Sequence, residues 1–158
     1  MEEVTLSKEN LRPLDWEQLQ ERDRLIMQKD FSAQLFQYAN QFIKADEIVI
    51  AAPSWDLTFP SILRVYFEHI TITGLTFKYS PEGIPTGLCK AKRMIYVTTS
   101  GGPFATQRKG YDYIKDLANS LYGIPNVLCF KAENLDIIGA DVNGIMEKSI
   151  KEIEAADL

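Results

Sequence analysis

Glu47-Ile48-Val49-Ile50-Ala51-Ala52-Pro53 is the stretch whose reading decides the fold. It is an apolar, partly β-branched run, too short for a typical helix and lacking the polar alternation of a half-exposed strand. Such a run suits a strand covered on both faces, the usual situation in a parallel sheet. Arg93-Met94-Ile95-Tyr96-Val97-Thr98 reads the same way and runs into Ser100-Gly101-Gly102-Pro103. Val127-Leu128-Cys129-Phe130 is a third such run, entered through Gly123-Ile124-Pro125. Val4 to Leu6 is predicted as a fourth, weaker strand. Leu75 to Tyr79 is predicted as a short β segment, followed by the turn-rich Ser80 to Gly87.

Helical patterns separate these runs. Phe31, Leu35, Tyr38, Ala39, Phe42 and Ile43 recur at helical spacing after Asp30, a predicted N-cap. Ile62, Val65, Tyr66 and Ile70 follow Pro60, which suits the first position of a helix. Ile114, Leu117, Ala118, Leu121 and Tyr122 form a stripe closed by Gly123, and Val142, Ile145, Met146, Ser149 and Ile153 form another after Asp141. Asp15 to Lys29 reads as a charged, partly helical segment with few apolar anchors. Strand and helix alternate, which predicts an α/β fold with a parallel sheet and helices on both faces.

Composition narrows the function classes. At 158 residues, 46% hydrophobic and 25% charged, the chain has the size and make-up of one globular domain spanning 1–158. Its net charge of −5 argues against a nucleic-acid partner. No apolar run approaches a membrane span and no signal sequence is visible at the start, so a cytoplasmic location is expected. Cys89 and Cys129 lack metal-ligand or redox spacing and read as two free thiols. With His69 as its one histidine, the sequence offers little for a metal centre or a Ser-His-Asp triad, and His69 itself is expected to cap or pack at a helix end.

Ligands of open α/β sheets bind beyond the carboxyl ends of the strands. Two loops fall there. Pro53-Ser54-Trp55-Asp56-Leu57-Thr58-Phe59 is too apolar for a plain connector, unless its side chains pack inward or against a flat ligand. Thr99-Ser100-Gly101-Gly102-Pro103-Phe104 lets backbone amides approach a ligand closely, with hydroxyls alongside, although a Gly-Gly pair is also an ordinary turn. Together they offer an apolar wall and a polar edge, the complement of a flavin ring.

At these residues the chain resembles the flavodoxin-like NAD(P)H:quinone and azo-dye reductases that carry FMN. The resemblance rests on Ala45 to Leu57, on Gly74-Leu75-Thr76-Phe77-Lys78-Tyr79 and on Thr98-Thr99-Ser100-Gly101-Gly102, in that order and spacing. It implies a flavodoxin-like three-layer fold and a homodimer. It also implies that Pro53, Ser54, Trp55, Asp56 and Leu57 contact the flavin ring while Thr99, Ser100, Gly101 and Gly102 hold its pyrimidine side. Tyr79 and Phe104 would border the substrate pocket, Tyr79 at the dimer interface. Trp55 and Asp56 stand where members of that family often carry Tyr and Asn. A carboxylate there only accepts hydrogen bonds and would disfavour an anionic reduced flavin.

The resemblance further implies an absence. The family's first strand and the serine-containing loop that holds the FMN phosphate at a helix N-terminus have no counterpart here, so the first βα unit is expected to be missing and FMN to bind weakly. A late start, a fragment, or a rearranged sheet closed by Val4 to Leu6 or by a second subunit would each account for it. Two functions stay open: an FMN-dependent oxidoreductase passing electrons from NAD(P)H to a quinone, azo compound or similar flat acceptor, and a non-catalytic flavodoxin-like binding subunit. The first needs no side-chain nucleophile, because the flavin carries the chemistry.

Overall fold

A computed structural model describes residues 1–104, 108–156 and 158. Three strands, β1 (Glu47–Ala51), β4 (Arg93–Thr99) and β5 (Asn126–Ala132), form one parallel sheet in the order β1-β4-β5. Their register aligns Val49 with Ile95 and Ile95 with Leu128. Successive side chains in a strand alternate between faces. Ile50, Met94 and Tyr96, with Ile48, Val127 and Cys129, therefore meet one helical layer: α2 (Gln37–Lys44), α3 (Ser61–Ile70) and α4 (Lys109–Leu117). Phe36, Phe42, Leu63, Phe67, Ile114 and Tyr122 fill the space between, and this is the main core.

The opposite face carries Val49, Ile95 and Leu128. Helix α5 (Val142–Glu154) packs along β5, and none of its described side chains joins the main core. Asp141 starts α5 by accepting from the Gly144 amide at 3.0 Å. Ile95 is buried there, whereas Val49 is 59% exposed. That exposure follows from topology, because β1 is an edge strand. Even-numbered residues point their backbone groups at β4, the Ala52 amide reaching Val97 O at 3.1 Å. Val49 and Ala51 consequently aim theirs at the open side.

A hairpin, β2 (Phe77–Tyr79) with β3 (Pro85–Gly87), lies at the other end of the sheet from the β1 and β4 exits. It docks on the π-helical continuation of α4, Ala118–Tyr122, which Gly123 closes at a φ of +71°. Contact there is backbone to backbone. A Cβ on Gly87 would stand 2.1 Å from the Tyr122 carbonyl carbon and the Gly123 nitrogen.

The predicted strand at Val4 to Leu6 is not one. Leu6–Lys8 is a 3-10 turn, and among the described residues Val4 to Leu6 pairs with no strand. Tyr38 Oη to Glu9 (2.6 Å) and Gln41 Nε2 to Glu2 (3.0 Å) hold the segment on α2 instead. Asp30 does not cap the helix after it either. Its carboxylate accepts from the Ser32 amide and hydroxyl, and a 3-10 turn, Gln34–Phe36, precedes α2. α1 (Trp16–Gln28) does form, through a reciprocal capping box of Asp15 and Gln18, and Leu25 is its buried anchor. His69 sits in the last turn of α3 and bonds the Arg12 carbonyl through Nε2 at 2.8 Å, tying down the segment before α1. Both cysteines are free.

Candidate functional site

The parallel ladder continues past the strand ends. The Ser54 amide donates to Thr99 O at 2.8 Å and the Ser100 amide to Ala132 O at 2.8 Å. The loops after β1, β4 and β5 are thereby fixed side by side at one end of the sheet.

Within the first loop, the Thr58 amide donates to Trp55 O at 2.8 Å, closing a four-residue turn. Both central residues are left-handed, Asp56 at φ +49° and Leu57 at φ +70°. Such a turn favours Asn, Asp or Gly, and a leucine there is strained by about 1–2 kcal/mol. The turn leaves Trp55 60% and Leu57 47% exposed. Phe59, expected to share that wall, is buried: its ring meets Phe67 at 6.0 Å and Tyr113 at 5.8 Å. Inward packing is the outcome for Phe59, and an exposed apolar surface the outcome for Trp55 and Leu57.

In the second loop the carbonyls face inward. Ser100 O, Gly101 O and Gly102 O accept from the amides of Leu135 (3.1 Å), Asp136 (3.0 Å) and Asn134 (3.3 Å). Ser100 is buried and its hydroxyl donates to Gly102 O at 2.8 Å. Among the described residues the N–H groups of Gly101 and Gly102 have no partner. Two donors are left for a ligand with acceptor atoms along an edge. A Cβ at Gly101 would stand 2.0 Å from Asp136 Oδ2, so the Asp136 side chain lies directly against this glycine.

Phe104 is buried rather than open to a substrate. Its amide donates to Glu133 Oε2 at 2.6 Å, and Lys131 Nζ lies 4.9 Å from its ring centre. That amide, with Lys131 at 3.3 Å, holds the Glu133 carboxyl below its usual value. Tyr79 stays apart from the two loops in this chain. It lies on the hairpin beside Phe77, 57% exposed, near the end of the sheet where Arg93 and Asn126 enter. The sequence reading missed Glu133 to Asp136. The available signal was position alone, since this segment follows the third parallel strand and ends at the same rim. Among the described residues no cluster of side chains could hold a metal ion.

The model of the flavodoxin-like fold family matches residues 1–157. The chain belongs to that family. Its strand order, its parallel register and the two loops at the carboxyl rim are the flavodoxin-like elements described above. Similar proteins include FMN-dependent NADH:quinone oxidoreductase 2 of Clostridium acetobutylicum, 41% identical over 123 residues, which cover 75% of this chain and 60% of that protein. The FMN-dependent NADH:quinone oxidoreductase of Lachnoclostridium phytofermentans is 40% identical over 151 residues, 94% of this chain and 73% of that protein. Among solved structures, the azoreductase of Bacillus anthracis superposes with a TM-score of 0.79 at 26% identity, covering 93% of this chain and 76% of that one. The chain thus spans 60% of the length of the Clostridium acetobutylicum protein, 73% and 77% of the relatives from Lachnoclostridium phytofermentans and Coprothermobacter proteolyticus, and 76% of the azoreductase.

Proposed function

We propose that this flavodoxin-like chain serves an FMN-dependent oxidoreductase that takes reducing equivalents from NADH or NADPH and delivers them to quinones, azo compounds or similar flat acceptors. The observation that carries the reading is the pairing of Ser54 with Thr99. It sets an exposed apolar turn, Trp55 and Leu57, beside the amides of Gly101 and Gly102, which have no partner among the described residues. The names of the relatives, FMN-dependent NADH:quinone oxidoreductases and an azoreductase, point to the same chemistry.

The residues fit the ring of the cofactor. When bound, FMN accepts a hydride from the nicotinamide and returns two electrons to the acceptor. Gly101 and Gly102 would donate to the pyrimidine carbonyls, with Ser100 holding their loop in place through its bond to Gly102 O. Trp55 and Leu57 would cover one face and keep water from it. Asp56 would place a carboxylate at the ring edge and oppose negative charge there. Glu133 would steady the loop through the Phe104 amide. A role for Tyr79 beside the acceptor requires a second copy, and homodimerisation is part of the proposal, as is a cytoplasmic setting. No described helix is long and apolar enough to cross a membrane.

The test is direct. The purified chain, incubated with FMN, should show the absorption of a bound oxidised flavin and consume NADH in a quinone-dependent, ping-pong manner. A colourless protein that fails to oxidise NADH or NADPH with any quinone or azo dye would favour the alternative, a flavodoxin-like binding subunit without catalysis.

A further inference from the structure

A second recess lies behind the Trp55 turn, between the first turns of α3 and α4. It has a volume of about 500 Å3 and is lined by Trp55, Asp56, Phe59, Arg64, Lys109 and Tyr113, among others. None of residues 99–104 lines it, so it shares only the Trp55–Asp56 wall with the crevice assigned to the flavin. Its size falls within the range of small-molecule sites, and its walls are aromatic.

Its charge is what selects a ligand. The chain as a whole carries −5, yet this recess presents two cations against one carboxylate, Asp56. Neither cation is fully neutralised. The Arg64 guanidinium lies 4.8 Å from the Tyr113 ring centre and touches Glu68 only through Nε, at 3.4 Å. Lys109 has no ion-pair partner among the described residues, whereas its neighbour Arg108 is taken by Asp112 at 3.0 Å. The nearer acids are thus Asp56, Glu68 and Asp112: Glu68 faces Arg64 itself and Asp112 faces Arg108, which leaves Lys109 as the recess cation without an ion-pair partner among the described residues.

The floor is built closely. Gly110, buried in the first turn of α4, lets that turn touch the loop: a Cβ there would stand 3.1 Å from Phe59 Cδ1 and from the Thr58 carbonyl. Lys109, next to this contact, and Arg64 on α3 both line the recess. We propose that the recess is a binding site for a monoanionic aromatic ligand, its carboxylate or sulfonate held between Arg64 and Lys109 and its ring against Trp55. A guanidinium already stacked on Tyr113 is preorganised to bind an anion, and an indole with its face in water gains most from an aromatic cover.

The test needs no flavin, so its result is separate from that of the redox proposal. Naphthalene-2-sulfonate is titrated into the 15N-labelled chain and followed by two-dimensional amide spectra. Saturable shifts of the Trp55 indole N–H and the Gly110 amide are expected. Affinity should fall at least ten-fold in the double variant R64Q/K109Q, be retained in K109R and weaken as salt is raised. Dispersed spectra establish that each variant is folded. Equal binding of neutral 2-naphthalenemethanol, unchanged affinity in folded R64Q/K109Q, or shifts confined to another part of the chain would each overturn the assignment.

Discussion

Leu57 holds a left-handed backbone while half exposed, so the side chain gains little burial in return for the strain. Strain of this kind persists where a loop is shaped for a ligand. Leu57→Gly should therefore stabilise the flavin-free chain by about 1 kcal/mol in urea denaturation while weakening flavin binding, because the apolar cover goes with the strain. Asp56→Asn tests the charge at the ring edge. It should raise the two-electron midpoint potential of the bound flavin by about 30 mV, equivalent to about 1.4 kcal/mol, in a dye-coupled reduction titration. Glu133 has its carboxyl lowered, first by the Phe104 amide and then by Lys131, which stabilises the folded form above the unfolded-state value. That contribution is lost as pH falls through the lowered value. The gap in urea midpoint between the natural chain and Glu133→Gln should accordingly be open at pH 7 and close on acidification below the ordinary glutamate range. Of these residues the sequence showed Asp56 and Leu57 as loop positions through Pro53 before them. It did not show the positive φ of Leu57, because nothing in a leucine asks for a left-handed backbone.

At the scale of elements, the three parallel strands and the later helices could be read from periodicity and caps, and α1 only as a charged, partly helical segment. The apolar runs at 47–52 and 93–98 are β1 and β4, Gly123 ends the fourth helix, and Asp141 caps the fifth. The failures have a shared cause: an element defined by its neighbours rather than by its own pattern. Val4 to Leu6 has strand-like residues and no strand beside it, and Asp30 prefers the nearby Ser32 to a helix. The second strand of the hairpin, Pro85–Gly87, exists because Gly87 fits against Tyr122 and Gly123, a contact invisible in sequence. Gly87→Ala should cost upwards of about 3 kcal/mol, since a Cβ meets backbone and has nowhere to relax. Thermal unfolding would show it, and a loss under about 1 kcal/mol would mean that the hairpin does not pack as described.

For the whole molecule, the organising fact is that all three parallel strands deliver their loops to one rim. Position at that rim was legible, because the carboxyl ends of parallel strands are where open sheets bind ligands. What lay beyond reach was the third loop, Asn134 to Asp136, whose amides fix the carbonyls of Ser100 to Gly102 and leave the amides of Gly101 and Gly102 without a partner among the described residues. Such cooperation between distant segments has no local signature. The claim on which all of this rests is that the rim holds an isoalloxazine plane. Riboflavin, which has the ring and no phosphate, isolates it. Titrated into a Trp16→Phe variant, where Trp55 is the remaining indole, riboflavin should quench emission saturably at a one-to-one ratio, with a shift in its own visible absorption. Unchanged Trp55 emission and an unaltered riboflavin spectrum up to about 1 mM, an affinity worth only about 4 kcal/mol, would contradict the account.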